Sequence, residues 1–323
     1  MSENNLPLVT VIVPCYNHEK HVEICLDSIY RQTYTNIEVI VVDDFSRDNS
    51  AEVIKKLQKK YAFTFLEHCE NWGLTKTLND VIYNYAHGKY IKCIASDDYL
   101  TDDCVEVLTN EFENCGDEYG FVSAKTLHFN RNTKGIEVFL HVSGRKCTVQ
   151  ELFNRKENYI PAMTVLFDRD KFIQLGGFES CFIEDYYMWL SFAMKYKHSF
   201  VDKVVAYYQL DLVTSMHYNY KKMSSSLNFI QSKIYCQNSE LINIDDYFHQ
   251  ILRNTLFYKL NLIFDDLQDK KMARALYKYF SSFFLMVYLK EKFIYKFWYR
   301  LVLGDDLVFK IKKKLSKIIR KKI

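Results

Sequence analysis

The feature that most constrains this chain is a mostly apolar run that ends in two adjacent carboxylates, Tyr90-Ile91-Lys92-Cys93-Ile94-Ala95-Ser96-Asp97-Asp98. Such runs are typical of strands in a mostly parallel sheet, and open α/β sheets bind ligands beyond the carboxyl ends of their strands. Oxygen-only ligands suit Mg²⁺ or Mn²⁺. One interpretation of the run is therefore a ligand site at Asp97 and Asp98. The alternative is an acidic turn that caps the next helix, which this run alone favours.

Earlier in the chain, strand and helix patterns alternate in a way that predicts right-handed strand, helix, strand units. The first strand is expected to end at Pro14, which cannot donate to a ladder, and the second is followed by Asp43 and Asp44. Thr75 is a candidate cap for the helix before the opening run. The predicted strands are 8–14, 37–42 and 63–67. Acids of two strands are thus expected to meet in one crevice.

Beyond residue 100 the alternation of strands and helices weakens. The predicted elements there are strands at 121–124 and 160–167 and a hairpin-like turn at 130–135. Glu184 and Asp185 then open an apolar helix, where the helix dipole alone is a sufficient reason for two carboxylates. From about residue 221 the pattern is helical and strongly aromatic. These changes predict an α/β domain over 1–220 and a helical region over 221–323.

Cysteine usage and the N-terminus indicate a compartment. The nine cysteines are scattered along 323 residues without a CxxC pair, which predicts reduced, buried thiols of a cytosolic protein and no structural zinc site. The first residues are polar and lack an apolar segment, so neither secretion nor an N-terminal membrane anchor is predicted. We therefore expect a cytoplasmic protein.

The C-terminal tail is basic and amphipathic. Positions 310–322 hold eight Lys or Arg side chains and no acid. The apolar residues of the tail share one helical face, namely Val308, Ile311, Leu315, Ile318 and Ile319. A helix in a membrane interface has this pattern, so an anionic membrane surface is the predicted partner and nucleic acid is not. A solvated helix end is the alternative.

Five motifs, in order, resemble those of the family-2 glycosyltransferases, which are inverting, sugar-nucleotide-dependent enzymes with a GT-A fold. The matching blocks are 11–17, 32–46, 71–79, Ser96-Asp97-Asp98 at the family's metal-binding DXD motif, and Glu184-Asp185 with Trp189-Leu190 at its ED motif. The resemblance covers roughly the first two thirds of the chain. It implies a Rossmann-like, mostly parallel nucleotide-binding sheet flanked by helices, followed here by a helical C-terminal extension.

Two positions depart from the family pattern. Ser96 replaces an acid at the start of the metal motif, which leaves Asp98 as the expected metal ligand and Asp97 as a contact of the ribose or of the metal's surroundings. Residues 208–211 stand where many relatives have Tyr-Arg-x-His. The pattern therefore does not identify the basic residue that assists the diphosphate, and His217 is one candidate.

The resemblance implies roles for the remaining residues. Asp185 is the expected general base, and Glu184 orients it or binds the acceptor. Asp44 is expected to accept a hydrogen bond from the imide N–H of uracil or thymine, while Tyr16 lines the base pocket and Pro14 shapes the loop. Glu19 is either a nucleoside contact or an exposed first-turn glutamate. Asn71 and Asn79 are expected to tie helices together, with a nucleotide contact as the second interpretation.

The resemblance therefore implies a transferase that uses Mn²⁺ or Mg²⁺ and moves a sugar from a nucleotide-sugar donor, with UDP as the expected nucleotide, to a glycan hydroxyl in surface-polysaccharide synthesis. The basic tail adds the hypothesis of a lipid-linked acceptor and a peripheral position on the inner face of the plasma membrane. The alternative is an inactive GT-A module that binds nucleotide or glycan. A nucleotidyltransferase is disfavoured because a glycine-rich, lysine-bearing phosphate loop is missing.

Overall fold

A computed structural model describes residues 6–131, 137–154, 160–209, 220–238, 240–242 and 250. Its first half alternates strands and helices: β1 (Val9–Cys15), α1 (Val22–Tyr30), β2 (Ile37–Asp43), α2 (Ser50–Leu57), β3 (Thr64–Glu67), α3 (Leu74–Asn84) and β4 (Tyr90–Cys93). The four strands are parallel, in the order β3-β2-β1-β4. The chain order reverses between β1 and β4, so the loops after these two strands flank the crevice where α/β sheets bind ligands.

The second half continues the same sheet with mixed strand directions. Its elements are β5 (Tyr99–Leu100), α4 (Cys104–Glu113), β6 (Tyr119–Arg131), β7 (Glu137–Ser143), α5 (Val149–Asn154), β8 (Leu166–Asp168), α6 (Arg169–Gln174), α7 (Glu184–Lys195) and β9 (Lys197–Gln209). The sheet extends from β4 through β8, β6 and β9 to β5, with β7 on the outside of β6. β8 is antiparallel to both of its neighbours, while β6 and β9 are parallel. The predicted α/β sheet flanked by helices is therefore confirmed.

Several predicted boundaries are wrong in detail. β1 continues through Pro14 to Cys15, and Pro14 pairs with Val42 of β2. Thr75 does not cap α3, because the helix is preceded by Gly73 with a φ of +78° and Thr75 lies in its first turn. The predicted strand at 160–167 is instead a 3₁₀ turn over Ala162–Thr164 followed by the three-residue strand β8. The Thr164 amide and hydroxyl both donate to the Pro161 carbonyl, and such local bonds compete with a ladder.

The two faces of the sheet are packed differently. One face holds an aliphatic core in which residues of α1, α2 and α4 cover β1, β2 and β4. An aromatic cluster holds α6 and α7 against β6 and β8, with Phe121, Phe167, Phe172, Phe178, Trp189 and Phe192 as its members. Ring centroids of contacting pairs in this cluster lie 5.0 to 6.3 Å apart. The cluster fixes the start of α7 relative to the end of β4.

The chain divides into two compact units, Met1–Ser215 and Met216–Ile323. The described part of the second unit is chiefly helix α8 (Tyr220–Gln237). Within the parts of the chain that the structure describes, no helix is both long and apolar enough to span a membrane. His217 and the predicted basic tail lie outside the described residues.

Candidate active site

The loop after β1 is held against the loop after β2. Asn17 adopts a left-handed conformation with a φ of +60°, its amide donates to Ser46 Oγ at 2.9 Å, and its side-chain oxygen accepts from the Arg47 amide at 2.7 Å. Asparagine tolerates this conformation better than most residues. Beside it, Pro14 is half-buried and Tyr16 is 39% exposed, as a residue that lines a pocket would be.

Glu19 is engaged in the same loop-to-loop connection. Its Oε2 accepts hydrogen bonds from the amide and the side chain of Asn49, at 3.1 and 2.9 Å, just before α2. Its own amide donates to Asp48 Oδ2 at 3.1 Å. Glu19 thus has a structural function as a link to the start of α2, and a nucleoside contact by Glu19 stays a prediction.

Asp44 is buried and organises the loop after β3. Its carboxylate accepts from the amides of Trp72 and Gly73 and lies 2.8 Å from His68 Nδ1. Asn71 donates to the Asp44 carbonyl and so ties the loop after β3 to the loop after β2, whereas the sequence predicted that it ties helices. Hydrogen bonds to a charged acceptor are stronger than neutral ones, so Asp44 fixes this loop firmly. Both carboxylate oxygens of Asp44 therefore already have protein partners, and an additional contact to a base stays a prediction.

Asp43 is a residue that the sequence interpretation passed over. It is buried at the last position of β2, and its Oδ2 accepts from the Ser46 amide at 2.9 Å. Its Oδ1 is buried without a hydrogen-bond partner among the described residues, and such atoms are rare in native structures. Successive side chains along a strand point to opposite faces of the sheet, so Asp43 and Asp44 have different neighbours. In the sequence, the signal that could have identified Asp43 is its place beside Asp44 at the end of a predicted strand.

The turn after β4 carries the second pair of acids. Asp98 is buried, its Oδ1 accepts from the Gln209 amide at the end of β9, and burial together with the charge of Asp97 raises its pKa well above the ordinary value. Ser96 is also buried, and its hydroxyl lies 2.8 Å from His18 Nδ1. That nitrogen is 3.9 Å from Asp97 Oδ1, so the β1 loop contributes a basic side chain here.

A fully buried lysine lies behind this turn. Lys92 of β4 donates from Nζ to the Met163 carbonyl, and burial lowers the pKa of its ammonium group. Its charge favours the ionised form of Asp98. In the sequence Lys92 is only a polar interruption of an apolar strand. Its burial depends on the 3₁₀ turn at 162–164, which local periodicity did not predict.

Asp97 and Asp98 can bind a hard divalent cation only if a substrate supplies further oxygen ligands. In the described ranges, no three His, Cys, Asp or Glu side chains cluster so that they could hold a metal ion by themselves. Mg²⁺ and Mn²⁺ sites commonly use one or two carboxylates and complete their shell with phosphate oxygens. Asp98 has a raised pKa beside the charge of Asp97, and a cation relieves such a repulsion.

Glu184 and Asp185 form the first turn of α7. Removal of the Glu184 carboxyl from water, reinforced by the charge of Asp185, raises its pKa to about 8. Asp185 Oδ1 accepts from the Tyr186 amide at 2.7 Å. Glu184 also adds to the raised pKa of the Cys93 thiol, which burial dominates, so the start of α7 faces the end of β4.

Tyr208 of β9 connects the two acid pairs electrostatically. Burial raises the pKa of its hydroxyl, and the charges of Asp98, Asp97 and Asp185 raise it further. Acids from the turn after β4 and from the start of α7 therefore both act on Tyr208. The sequence predicted a meeting of acids from two strands, and that meeting stays a prediction. In the sequence Tyr208 stood out only as part of a departure from a family pattern.

Asn79 connects the two walls of the crevice. Its side-chain amide donates to the Phe178 carbonyl at 2.8 Å and its oxygen accepts from the Phe178 amide at 2.9 Å. This reciprocal pair ties α3 to the loop before α7, which confirms the structural role expected for Asn79. The loop turns at Gly176 and Gly177, both of which have a positive φ.

The overall arrangement is that of a GT-A protein, and solved structures agree. A mannosyltransferase, PcManGT of Pyrobaculum calidifontis in complex with GDP-Man and Mn²⁺, superposes with a TM-score of 0.59 at 21% identity, over 88% of this chain and 82% of that one. Residues 1–349 of S. aureus TarS in complex with UDP-GlcNAc give 0.55 at 17% identity, over 78% and 80%. At sequence identities of 17% and 21%, the structural similarity to these two proteins establishes the fold alone.

Sequence comparison gives the family. The profile of glycosyl transferase family 2 matches residues 10–176, more than half of the chain, and the chain belongs to this family. The glycosyltransferase EpsJ of Bacillus subtilis is 40% identical over 108 residues, which cover 33% of this chain and 31% of EpsJ. The hyaluronan synthase of Pasteurella multocida is 37% identical over 34% of this chain and 11% of its own length. The similar segment thus spans a third or less of these relatives.

Proposed function

We propose that this chain is an inverting glycosyltransferase that moves a sugar from a UDP-sugar to a hydroxyl of a growing glycan in surface-polysaccharide synthesis. Residues 1–220 contain the catalytic domain. The observation that carries the proposal is that Asp97 and Asp98 of one acid pair and Asp185 of the other all lie close enough to Tyr208 to raise the pKa of its hydroxyl. Membership of glycosyl transferase family 2 supports the reaction class. Relatives named for polysaccharide synthesis, such as the hyaluronan synthase, support the setting.

The donor lies along the ends of β1, β2 and β4. Tyr16 lines the base pocket, Pro14 shapes its loop, and Asp44 accepts from the imide N–H through Oδ2, which accepts one bond from the Gly73 amide. Glu19 borders the nucleoside, and Asp97 contacts the ribose. His18 stands beside Asp97 and presents a basic ring to the diphosphate.

Asp98 would hold a divalent cation, Mn²⁺ or Mg²⁺, once the donor is bound. When bound, the cation neutralises charge on the diphosphate as it leaves. The protein's own contribution is to keep the Asp98 carboxylate in place through the Gln209 amide and to favour its ionised form through Lys92.

Transfer with inversion needs one base and one displacement. Asp185 takes the proton from the acceptor hydroxyl while that oxygen bonds to the anomeric carbon. The bond between the anomeric carbon and the diphosphate oxygen breaks, and its electron pair leaves with the nucleotide. Glu184, with a pKa of about 8, is protonated at neutral pH and donates a hydrogen bond that orients the acceptor.

The acceptor is lipid-linked, and the basic tail holds the protein on the anionic inner face of the plasma membrane. The support is the pattern of lysines and apolar residues over 308–322. Deletion of 305–323 is expected to release the full-length chain from vesicles that contain anionic lipid. Equal co-sedimentation of the truncated and full-length proteins would contradict this part of the proposal.

The central test is a donor screen by calorimetry with Mn²⁺, followed by a transfer assay on Asp185→Asn. We expect the variant to bind the donor normally and to lose about 10²- to 10⁴-fold in rate, as base removal typically does. Asp170→Asn is the matched control, because that carboxylate is 84% exposed on α6. If Asp185→Asn keeps its rate, the base is misassigned. If the wild type binds nucleotide but transfers and hydrolyses no donor, the chain is a binding module.

A further inference from the structure

An open groove of about 620 Å³ lies between α3 and the loop before α7. It is separate from the β1 loop, and the proposed donor contacts do not use it. Aromatic, amide and charged side chains share its lining, which consists of Trp72, Gly73, Leu74, Thr75, Lys76, Asn79, Asp80, Tyr83, Asn84, Phe178 and Ser180. Ligand sites typically combine such apolar surfaces with a few polar groups that fix orientation.

One face of α3 supplies most of this lining. The contributing positions are spaced three and four residues apart and therefore share a helical face, namely 76, 79, 80, 83 and 84. The opposite face is apolar and buried through Leu78, Val81 and Ile82. Tyr83 is 39% exposed in the middle of the groove side. Its ring centroid lies 6.4 Å from that of the buried Phe172, so part of the ring packs on the protein while Tyr83 also lines the groove.

The walls of the groove are preformed. The reciprocal hydrogen bonds between Asn79 and Phe178 hold its floor. A side chain on Gly177 would come within 2.8 Å of Asn79 Oδ1 and 3.0 Å of the Tyr83 hydroxyl, so the loop packs closely there. At the other end, the Trp72 ring lies 4.0 Å from the His68 ring, and Lys76 Nζ lies 4.0 Å above it. Preformed walls lower the entropic cost of binding.

We infer that this groove binds a saccharide unit of the acceptor glycan, an inference that rests on the proposed function. A pyranose ring has apolar C–H faces that stack on aromatic rings and a rim of hydroxyls that pair with amides, carboxylates and ammonium groups. Tyr83 supplies an exposed ring, while Asp80 and Asn84, which hydrogen-bond to each other at 2.8 Å, supply the polar partners.

The position of the groove also favours the acceptor over the donor. Ser180 lines it and precedes Glu184 by four residues, a span of at most ~14 Å. The hydroxyl that reacts must reach Asp185, so the rest of the acceptor must leave the crevice on the side of α7. The groove is lined by Phe178 and Ser180 of the loop before α7 and extends along α3, a distance that a short oligosaccharide can span.

The test uses full-length protein on a printed array of bacterial surface-polysaccharide fragments, with UDP affinity measured in parallel by calorimetry. Tyr83→Ala is compared with Tyr85→Ala, because Tyr85 is 40% exposed at the end of the same helix but does not line the groove. We expect wild type and Tyr85→Ala to bind the same glycans, and Tyr83→Ala to bind them about tenfold more weakly with unchanged UDP affinity. Asn84→Ala repeats the test if Tyr83→Ala fails to fold.

Three results overturn the inference: no glycan bound by the wild type, equal glycan binding by Tyr83→Ala and Tyr85→Ala, or a loss of UDP affinity in Tyr83→Ala, which would assign the groove to the donor. The proposed function fails separately, if the wild type transfers no sugar from any donor. In that case glycan binding that depends on Tyr83 still supports the groove as a saccharide site.

Discussion

The acids at the end of β2 and the acids of the crevice differ in how their charges are satisfied. Asp44 is buried, but two backbone amides and a histidine nitrogen contact its carboxylate at 2.8 Å. Asp98 is also buried, but among the described residues the Gln209 amide is the one hydrogen-bond donor seen at its carboxylate, and its pKa is raised well above the ordinary value. Glu184 resembles Asp98, with a pKa of about 8.

This difference separates acids that hold the architecture from acids that are available to a ligand. A buried carboxylate with several N–H partners stabilises the loops that supply them. A carboxyl that is buried beside a like charge is costly to the fold, and such groups concentrate at functional sites. Three substitutions test the comparison.

The largest effect is expected for Asp98→Asn. If Asp98 binds the cation as proposed, loss of its charge should cost several kcal/mol of transition-state stabilisation, or about a thousandfold in transfer rate. Because burial opposes the ionised form of Asp98, the urea midpoint of the variant should equal or exceed that of the wild type. Transfer assays and urea unfolding measure the two effects. A variant that keeps a tenth of the activity would contradict the assignment.

Asp44→Asn should mainly affect stability. The amide retains one acceptor oxygen for three partners, so at least one buried donor loses its bond. We expect the free energy of unfolding to fall by ~2 kcal/mol, measured by urea denaturation. Asp170→Asn, on the surface of α6, should change it little. Equal stability of the two variants would show that Asp44 does not hold the loop.

The third substitution, Glu184→Gln, should produce an effect on stability that is smallest near pH 4.5 and grows as the pH rises. The pKa of Glu184 is raised from 4.5 to about 8 in the folded protein, so the unfolded chain releases this proton at lower pH. The contribution of Glu184 to stability therefore falls as pH rises from about 4.5 to 8. Urea denaturation across this range should show the wild type losing stability relative to Glu184→Gln.

Glu151 provides a control of opposite sign. Hydrogen bonds from Thr148 and charge interactions with Arg145 lower its pKa below the ordinary value. Its contribution to stability is therefore present above pH 4.5 and is lost as pH falls. If Glu184→Gln and Glu151→Gln shift stability in the same direction with pH, the environment assigned to Glu184 is wrong.

The parallel half of the sheet could be predicted because its signals are local. β1 and β2 are buried on both faces, so each is a nearly continuous apolar run with a turn at its end. The mixed half lacks such signals. β5 and β8 contain only two and three residues, and long-range pairing with β9, β4 and β6 defines them as strands. A three-residue segment has no periodicity to detect.

The sequence alone determined the fold class, the family, and the positions of the acid pairs after β2, after β4 and at the start of α7. Only the tertiary structure decided which acids keep free bonding capacity. In the sequence Asp43 and Asp44 are two adjacent aspartates that cannot be told apart. In the structure, backbone amides of the loop after β3 donate hydrogen bonds to the Asp44 carboxylate, whereas Asp43 Oδ1 has no hydrogen-bond partner among the described residues. Hydrogen-bond satisfaction and burial depend on neighbours distant in the chain, which local patterns do not encode.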